Sequence, residues 1–573
     1  MKENTKRKID IAAGRTKPEL VIKNAKIINV FTEEIIDGDI AIDHGYIVAI
    51  GQYEGEENFD AEGKFVAPGM IDAHVHIESA MVTPSQFAKS ILPIGTTTII
   101  ADPHEIANVC GLEGIQYILD ESSNIPLDVY LMMPSCVPST SFENAGASLL
   151  AEDIKDMIQK NRILGLGELM DFPGVIAAND QILNKIEVTG DKIIDGHGPV
   201  ISGKDLNAYV AAGIHTEHEC STVEEMIDRL RLGMYILIRE GSAARNLNAL
   251  IRGVNKENAR RILFCTDDRH PGDILTDGHI GNNVRLAIQN GISPITALKM
   301  ASLNAAECYR LYDKGAVAPG YIADLILFDD LKTIDVEAVF KGGQLAAKNG
   351  KPLFKAKHIP NDSVVDTVNI KPVTQNDLTI NLSSDFANII RLLPHSLVTE
   401  RVVRKVEVKD GKFVHDKRLD ILKLAVIERH KASGNIGLGL VENFMLKSGA
   451  LASTVAHDSH NLIVIGTNDA DMLLAIEEVE RIKGGLVIVN DGKVLQTLPL
   501  PIAGLMSDMS LEVMSDDLEK LYATARSLGV NKDVDPFMTL AFLALPVIPE
   551  IKLTDMGLFD VSAFDFISIN ELD

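Results

Sequence analysis

Apolar and polar positions alternate along the first half of the chain in two different ways. After a polar leader, LVIKNAKIINV, GDIAIDHGYIVAI and KFVAPGMIDAHVHI are short, rich in Val and Ile, and separated by charged or Gly-containing turns, a pattern that predicts small β-sheets. From about residue 66 to residue 268 the pattern changes. Continuous apolar runs end in clusters of His, Asp and Glu, and longer helix-compatible stretches separate them. The runs are GMIDAHVH (69–76), TTTIIADPHE (96–105), LDVYLMMPS (127–135), ILGLGELM (163–170), KIIDGHGP (192–199), AGIHTEHE (212–219), YILIREGS (235–242) and RILFCTDD (261–268). Strands buried on both faces read as uninterrupted apolar runs, and eight alternating βα units are what a closed parallel barrel requires. A doubly wound α/β sheet would show similar runs. The polar clusters all fall at the C-terminal ends, the face where barrel loops converge on an active site.

Beyond the eighth run, PITALKMASLNAAECYRL reads as a helix, and Pro319-Gly320 turn the chain into a new strand in YIADLILFDD. Mixed segments such as LDILKLAVIERH and GGLVIVNDGKVL follow from about residue 360. The expected organisation is an N-terminal β segment (1–68), a (β/α)₈ barrel (69–310), a returning β segment (311–358) and a C-terminal α+β domain (360–573).

A length of 573 residues suits several domains, and 46% hydrophobic with 24% charged residues is ordinary for folded chains. The balance of 55 basic against 81 acidic residues, a formal charge of -26, disfavours nucleic acid as a partner. A neutral free base is compatible with it. Five scattered cysteines without a C-x-x-C pair suit a reducing cytoplasm rather than a disulfide framework. No apolar run reaches the roughly 18 residues of a membrane span, and no Walker-type phosphate loop is present.

His74 and His76 lie at the end of the first run, where alternate strand residues project to one side and both imidazoles can face one ion. Glu168, His197, His218 and Asp267 end the fourth, fifth, sixth and eighth runs. Together they are the ligand types of a binuclear site, whose purpose is to bring the pKa of a bridging water toward neutrality. Asp267 is placed to take that water's proton and later deliver it to a leaving nitrogen. His215, three residues before His218, should point to the opposite face, and Asp268 should point away from Asp267. Asp102 and His104, ending the second run, read as support for His74 or His76, as proton carriers or as an extra metal site, with an Asx turn before Pro103 as the simpler alternative. Arg239, Glu240 and Ser242 end the seventh run as candidate substrate contacts, or as a rim ion pair. His457, in the AHDSHN loop with His460, is a candidate substrate contact from the C-terminal domain.

The string PGMIDAHVHIESA, the closing PGYIADLILFD and the ordered ligands between them resemble the amidohydrolase superfamily over roughly residues 17–355. That resemblance implies a β-sandwich built from both flanks of the barrel, and metal ligation by His74, His76, His197, His218 and Asp267. Where hydantoinases, dihydroorotases and ureases carry a bridging lysine on the fourth strand, LGLGELM offers Glu168. In this, and in ADPHEIANVCG, IDGHGP, SGKDLNAYVAAGI, HECST, IREGSAARNL, FCTDDRH and VAHDSHNLIVIG, the chain resembles the bacterial adenine deaminase family. The implied activity is hydrolysis of adenine to hypoxanthine and ammonia in purine salvage. The implied cofactors are two divalent ions, Mn²⁺ or Fe²⁺ ahead of Zn²⁺, and the implied assembly is a cytoplasmic homodimer. Glu168 either bridges the ions or exchanges a proton with the ring. A hydrolase of another heterocycle or cyclic amide, and a non-catalytic scaffold, are the competing readings.

Overall fold

A computed structural model describes residues 2–570, which divide into two compact units. The first comprises residues 2–102, 118–135 and 151–359, and the second residues 103–117, 136–150 and 360–570. The two inserts, 103–117 and 136–150, come from the stretch that reads as barrel in the sequence and pack with the C-terminal residues.

Eight parallel strands form the heart of the first unit. They are β1 (Met70–His76), β2 (Thr96–Ala101), β3 (Asp128–Met133), β4 (Ile163–Leu169), β5 (Ile193–Gly196), β6 (Thr216–Glu217), β7 (Tyr235–Arg239) and β8 (Ile262–Cys265). Every residue of β1 and β2 is buried, as expected for strands covered on both faces. One ladder runs β5-β4-β3-β2-β1 and ends on the two-residue strand Asp267–Asp268, which follows β8 directly; a second runs β6-β7-β8. Between β5 and β6, the His215 N–H donates to the Ile194 carbonyl at 2.9 Å, and the Gly196 N–H donates to Thr216 Oγ1 at 3.2 Å. The round closes where Asp267 pairs with Val75 and Asp268 with His76, which sets the eighth strand's carboxylate beside the first strand's histidines.

Both flanks of the barrel meet in one nine-stranded sheet. Leu325–Phe328, which follows the barrel, pairs antiparallel with Phe65–Pro68, which precedes it, in the register Leu325↔Pro68. Ile22, Ile27, Ile40, Val66, Leu325 and Phe340 share its core. Burying alternate faces of Val- and Ile-rich strands in this way is the main source of its stability. The composite flanking β-structure implied by the resemblance is therefore present.

The second unit is α+β. Its eight-stranded sheet has Ile421–Ile427 at its centre, antiparallel to Ile436–Glu442 on one side and Leu462–Gly466 on the other. Helix Asp469–Arg481 lays Met472, Ala475, Ile476 and Val479 on that sheet, positions spaced three or four apart along one helical face. Asn468 caps it by accepting the Asp471 N–H. Among the described residues no helix is long and apolar enough to cross a membrane.

Candidate metal centre

His74 and His76 leave β1 on the same side, with their Nε2 atoms 3.2 Å apart. Asp267 Oδ1 stands 3.1 Å from His76 Nε2 and 3.6 Å from His74 Nε2. Glu168, at the end of β4, presents its two oxygens to two different groups. Oε1 lies 3.4 and 3.8 Å from Nε2 of His76 and His74, while Oε2 lies 2.6 Å from His197 Nδ1 and 3.2 Å from His218 Nε2. Ligand atoms of His74, His76 and Glu168, of His74, His218 and Asp267, and of Glu168, His197 and His218 each fall within 4.8 Å of one another. All but His197 are buried, and its side chain is 23% exposed, so the group opens on the His197 side.

The donor set fits divalent cations. His76 donates from Nδ1 to the Asp102 carbonyl at 2.9 Å, which leaves the Nε2 lone pair turned toward Glu168 and Asp267. Burial alone would push the Glu168 carboxyl up, but His197 and His218 outweigh it and hold it well below the usual carboxylate range. Asp267 is likewise held low against burial, by His74, His76 and Arg239. Burial opposes charge on His197, yet Glu219 and Glu168 raise its pKa to about 9. Metal ligands must be deprotonated, so an ion bound here would displace that proton.

Local backbone explains the placement. Asp267 has φ 59°, the left-handed region that few residues but Gly, Asn and Asp occupy readily. That turn interrupts the strand after Cys265 and defeats the expected alternation of Asp267 and Asp268. A ligand atom of Asp268 lies within 4.8 Å of those of His76 and Asp267, contrary to the expected outward direction, and Ser79 Oγ donates to Asp268 Oδ1. Gly167 is required because a Cβ there would stand 2.0 Å from Asp102 Oδ2, the oxygen that accepts the Glu168 N–H at 2.9 Å. Asp102 thus touches both sides of the cluster, its carbonyl on His76 and its carboxylate on the backbone of Glu168.

Arg239 does not pair with Glu240. Its guanidinium forks onto Glu219, with Nη2 2.8 Å from Oε2, and reaches Asp267 Oδ2 at 2.9 Å. Glu240 Oε2 accepts the Leu247 N–H at 3.3 Å, and Ser242 Oγ donates to Asp273 Oδ2 at 2.5 Å. His215 packs against Tyr235, ring centroids 5.2 Å apart. His104 Nε2 and His457 Nδ1 lie in the second unit, 3.2 and 2.7 Å from Glu105 Oε1.

Two functional candidates were not singled out from sequence. Glu219 follows His218 directly, and the clustering of carboxylates in HTEHE was its only signal. Asp72 lies inside the apolar run of β1. Its Oδ1 accepts the N–H groups of His74 (3.3 Å) and Thr266 (3.1 Å), and its Oδ2 accepts from Thr266 Oγ1 at 2.5 Å, tying the first strand to the residue before Asp267.

This arrangement agrees with what the chain is similar to. The amidohydrolase family model matches residues 65–347, and the model of the adenine deaminase C-terminal domain matches residues 396–565. Adenine deaminase of Clostridium acetobutylicum is 54% identical, over 98% of this chain and 99% of its own length. The chain belongs to the adenine deaminase family. Adenine deaminase 2 of Carboxydothermus hydrogenoformans (51% identical, 98% of this chain and 99% of that one) and the adenine deaminase of Halalkalibacterium halodurans (50%, 99% and 98%) match over the same extent. Family membership makes the chain a hydrolase of carbon–nitrogen bonds and implies divalent metal binding and a small-molecule substrate.

Proposed function

We propose that this chain hydrolyses adenine to hypoxanthine and ammonia, with His74, His76, Glu168, His197, His218 and Asp267 holding two divalent ions. The substrate follows from family membership, and the observation that carries the metal pair is Glu168, whose Oε1 faces His74 and His76 and whose Oε2 faces His197 and His218, so that one carboxylate would serve two cations. When bound, such a pair supplies hydroxide at neutral pH. Imidazole and carboxylate accept Mn²⁺, Fe²⁺ and Zn²⁺ alike, and family resemblance favours the first two.

The remaining steps belong to side chains. Deamination adds the water oxygen to the C6 carbon of the purine and breaks the C6–N6 bond; of the water's two protons, one ends on N1 and the other leaves with the amino group as ammonia. Asp267 accepts the proton of the attacking water and passes it to the departing nitrogen. Arg239 holds Asp267 Oδ2 at 2.9 Å and so leaves Oδ1 directed at the histidines. Glu168, with both oxygens facing histidines, would hold both ions. A cytoplasmic location, a role in purine salvage and a homodimer complete the reading on family resemblance.

The test is ammonia release from adenine, adenosine, guanine, cytosine and dihydrouracil by metal-stripped, Mn²⁺-reconstituted protein. Adenine is expected to be the substrate; ammonia from another ring but none from adenine would overturn the proposal. Asp267→Asn should lower kcat by about two decades or more, and full activity in that variant would remove its proton-transfer role.

A further inference from the structure

A second cluster of ligand-type side chains lies entirely within the C-terminal unit. Glu105 lies in the first turn of the helix His104–Glu121 and is 2% exposed. Its Oε1 is 2.7 Å from His457 Nδ1 and 3.2 Å from His104 Nε2, and His104 Nε2 is 4.0 Å from Asp458 Oδ1. His104 and Asp458 are each 4% exposed, and the side chain of His457 is 13% exposed. Nothing in the proposed deamination uses these groups.

We propose that His104, Glu105, His457 and Asp458 form an additional divalent-metal site, taking a transition ion of the Zn²⁺ or Mn²⁺ class. An ion about 2.0–2.2 Å from tetrahedral N and O ligands separates them by roughly 3.2–3.6 Å, and the separations here, 2.7 to 4.0 Å, bracket that spacing. Two carboxylates against a doubly charged ion neutralise the site, which a buried position requires. Two imidazoles beside them match the borderline softness of these metals.

His460 settles its own role by its hydrogen bonds. Its Nδ1 accepts the Ala456 N–H at 3.1 Å, so its Nε2 carries the hydrogen and donates to Glu105 Oε2. His460 therefore orients the carboxylate instead of binding the ion, the kind of support that metal-bound carboxylates ordinarily receive. The ring of Phe542 stacks on His457 at a centroid distance of 4.7 Å and fixes that imidazole's plane. An ion here clamps the first turn of the helix to the loop 457–461, two segments more than 350 residues apart in the chain.

The experiment uses the full-length protein, stripped with chelator, saturated with Zn²⁺ or Mn²⁺ and freed of excess ion. Elemental analysis should find about three ions per chain in the wild type and about two in Glu105→Gln and in His457→Gln. Crystals of the Mn²⁺-loaded wild type should give an anomalous peak between Glu105 Oε1, His104 Nε2 and His457 Nδ1. No peak beside Glu105 would overturn the proposal and leave a hydrogen-bonded carboxylate; so would an ion count unchanged in both variants. The wild-type map needs no variant, so a misfolded Glu105→Gln does not protect the idea. A peak beside Glu105 with none at His74 and His76 would uphold this site while removing the proposed function.

Discussion

Replacing Arg239 with methionine tests how the candidate centre is held together. The guanidinium is buried between two carboxylates, paired with both oxygens of Glu219 and with Asp267 Oδ2 at 2.9 Å, while Nε donates to Asn246 Oδ1 at 3.0 Å. Methionine is close in length, so the change removes charge and donors more than packing. The side chains of Arg239, Glu219 and Asp267 are only 10–13% exposed, and solvent does little to screen the loss. Removing one partner of a buried pair costs about 3–5 kcal/mol, and because His76 still faces Asp267 and His197 and His218 still face Glu219, the expected cost lies at the lower end. That is a large part of the roughly 5–15 kcal/mol that holds a domain folded. Asp267, released at Oδ2, loses its fixed orientation, and kcat should fall about 100-fold or more. Arg239→Lys keeps the charge but not the fork, and should recover part of the stability with kcat still depressed. Urea midpoints followed by circular dichroism, ion content by elemental analysis and steady-state ammonia release separate these effects. Because the chain has two units, the urea midpoint compared is that of the transition that shifts. If Arg239→Met kept kcat within about threefold with unchanged ion content, Arg239 would have no part in orienting Asp267.

Gly167→Ala places a methyl 2.0 Å from Asp102 Oδ2 and must displace the carboxylate that fixes the Glu168 backbone. Metal affinity measured by chelator competition should weaken about 10–100-fold, and unchanged affinity would show that Glu168 does not depend on Asp102. Lys552, fully buried with its Nζ on the Leu397 carbonyl at 2.8 Å, is pushed down by burial to about 7 from the 10.5 of an exposed lysine. Below about pH 7 both folded and unfolded chains carry the proton and the folded state bears the full penalty. Between about 7 and 10.5 the unfolded chain binds more protons, so stability rises with pH across that window and levels off above it. The penalty is at most about 5 kcal/mol, and orphaning the Leu397 carbonyl returns about 1–3 kcal/mol of it. Lys552→Met should therefore raise the thermal midpoint of the C-terminal unit most at pH 6 and lose that advantage by pH 10.5; an advantage independent of pH would refute the titration.

What was legible in the sequence and what was not divide along a physical line. Strands covered on both faces announce themselves as apolar runs, and a polar cluster ending such a run has one place to go, so His74, His76, Glu168, His197, His218 and Asp267 could be named one element at a time. The side chains that organise them could not. Alternation placed Asp268 outward, but the left-handed backbone at Asp267 breaks the two-residue period that the argument assumed. Asp72 looks like an intrusion into a buried strand until its partner, Thr266, is known to lie across the closure of the barrel. Glu219 gains its role from Arg239, 20 residues on, and Glu105 from His457, 352 residues on. A buried carboxylate is defined by the cation or donor that compensates it, and when that partner arrives from a distant strand no local pattern records the pairing. For the same reason the inserts 103–117 and 136–150 read as barrel: their composition suits either unit, and only long-range packing assigns them to the second. The candidate ligands are thus the part of such a centre that local sequence specifies, while the groups that set their orientation and charge are a property of the closed fold, and it is on those groups that Arg239→Met and Gly167→Ala act.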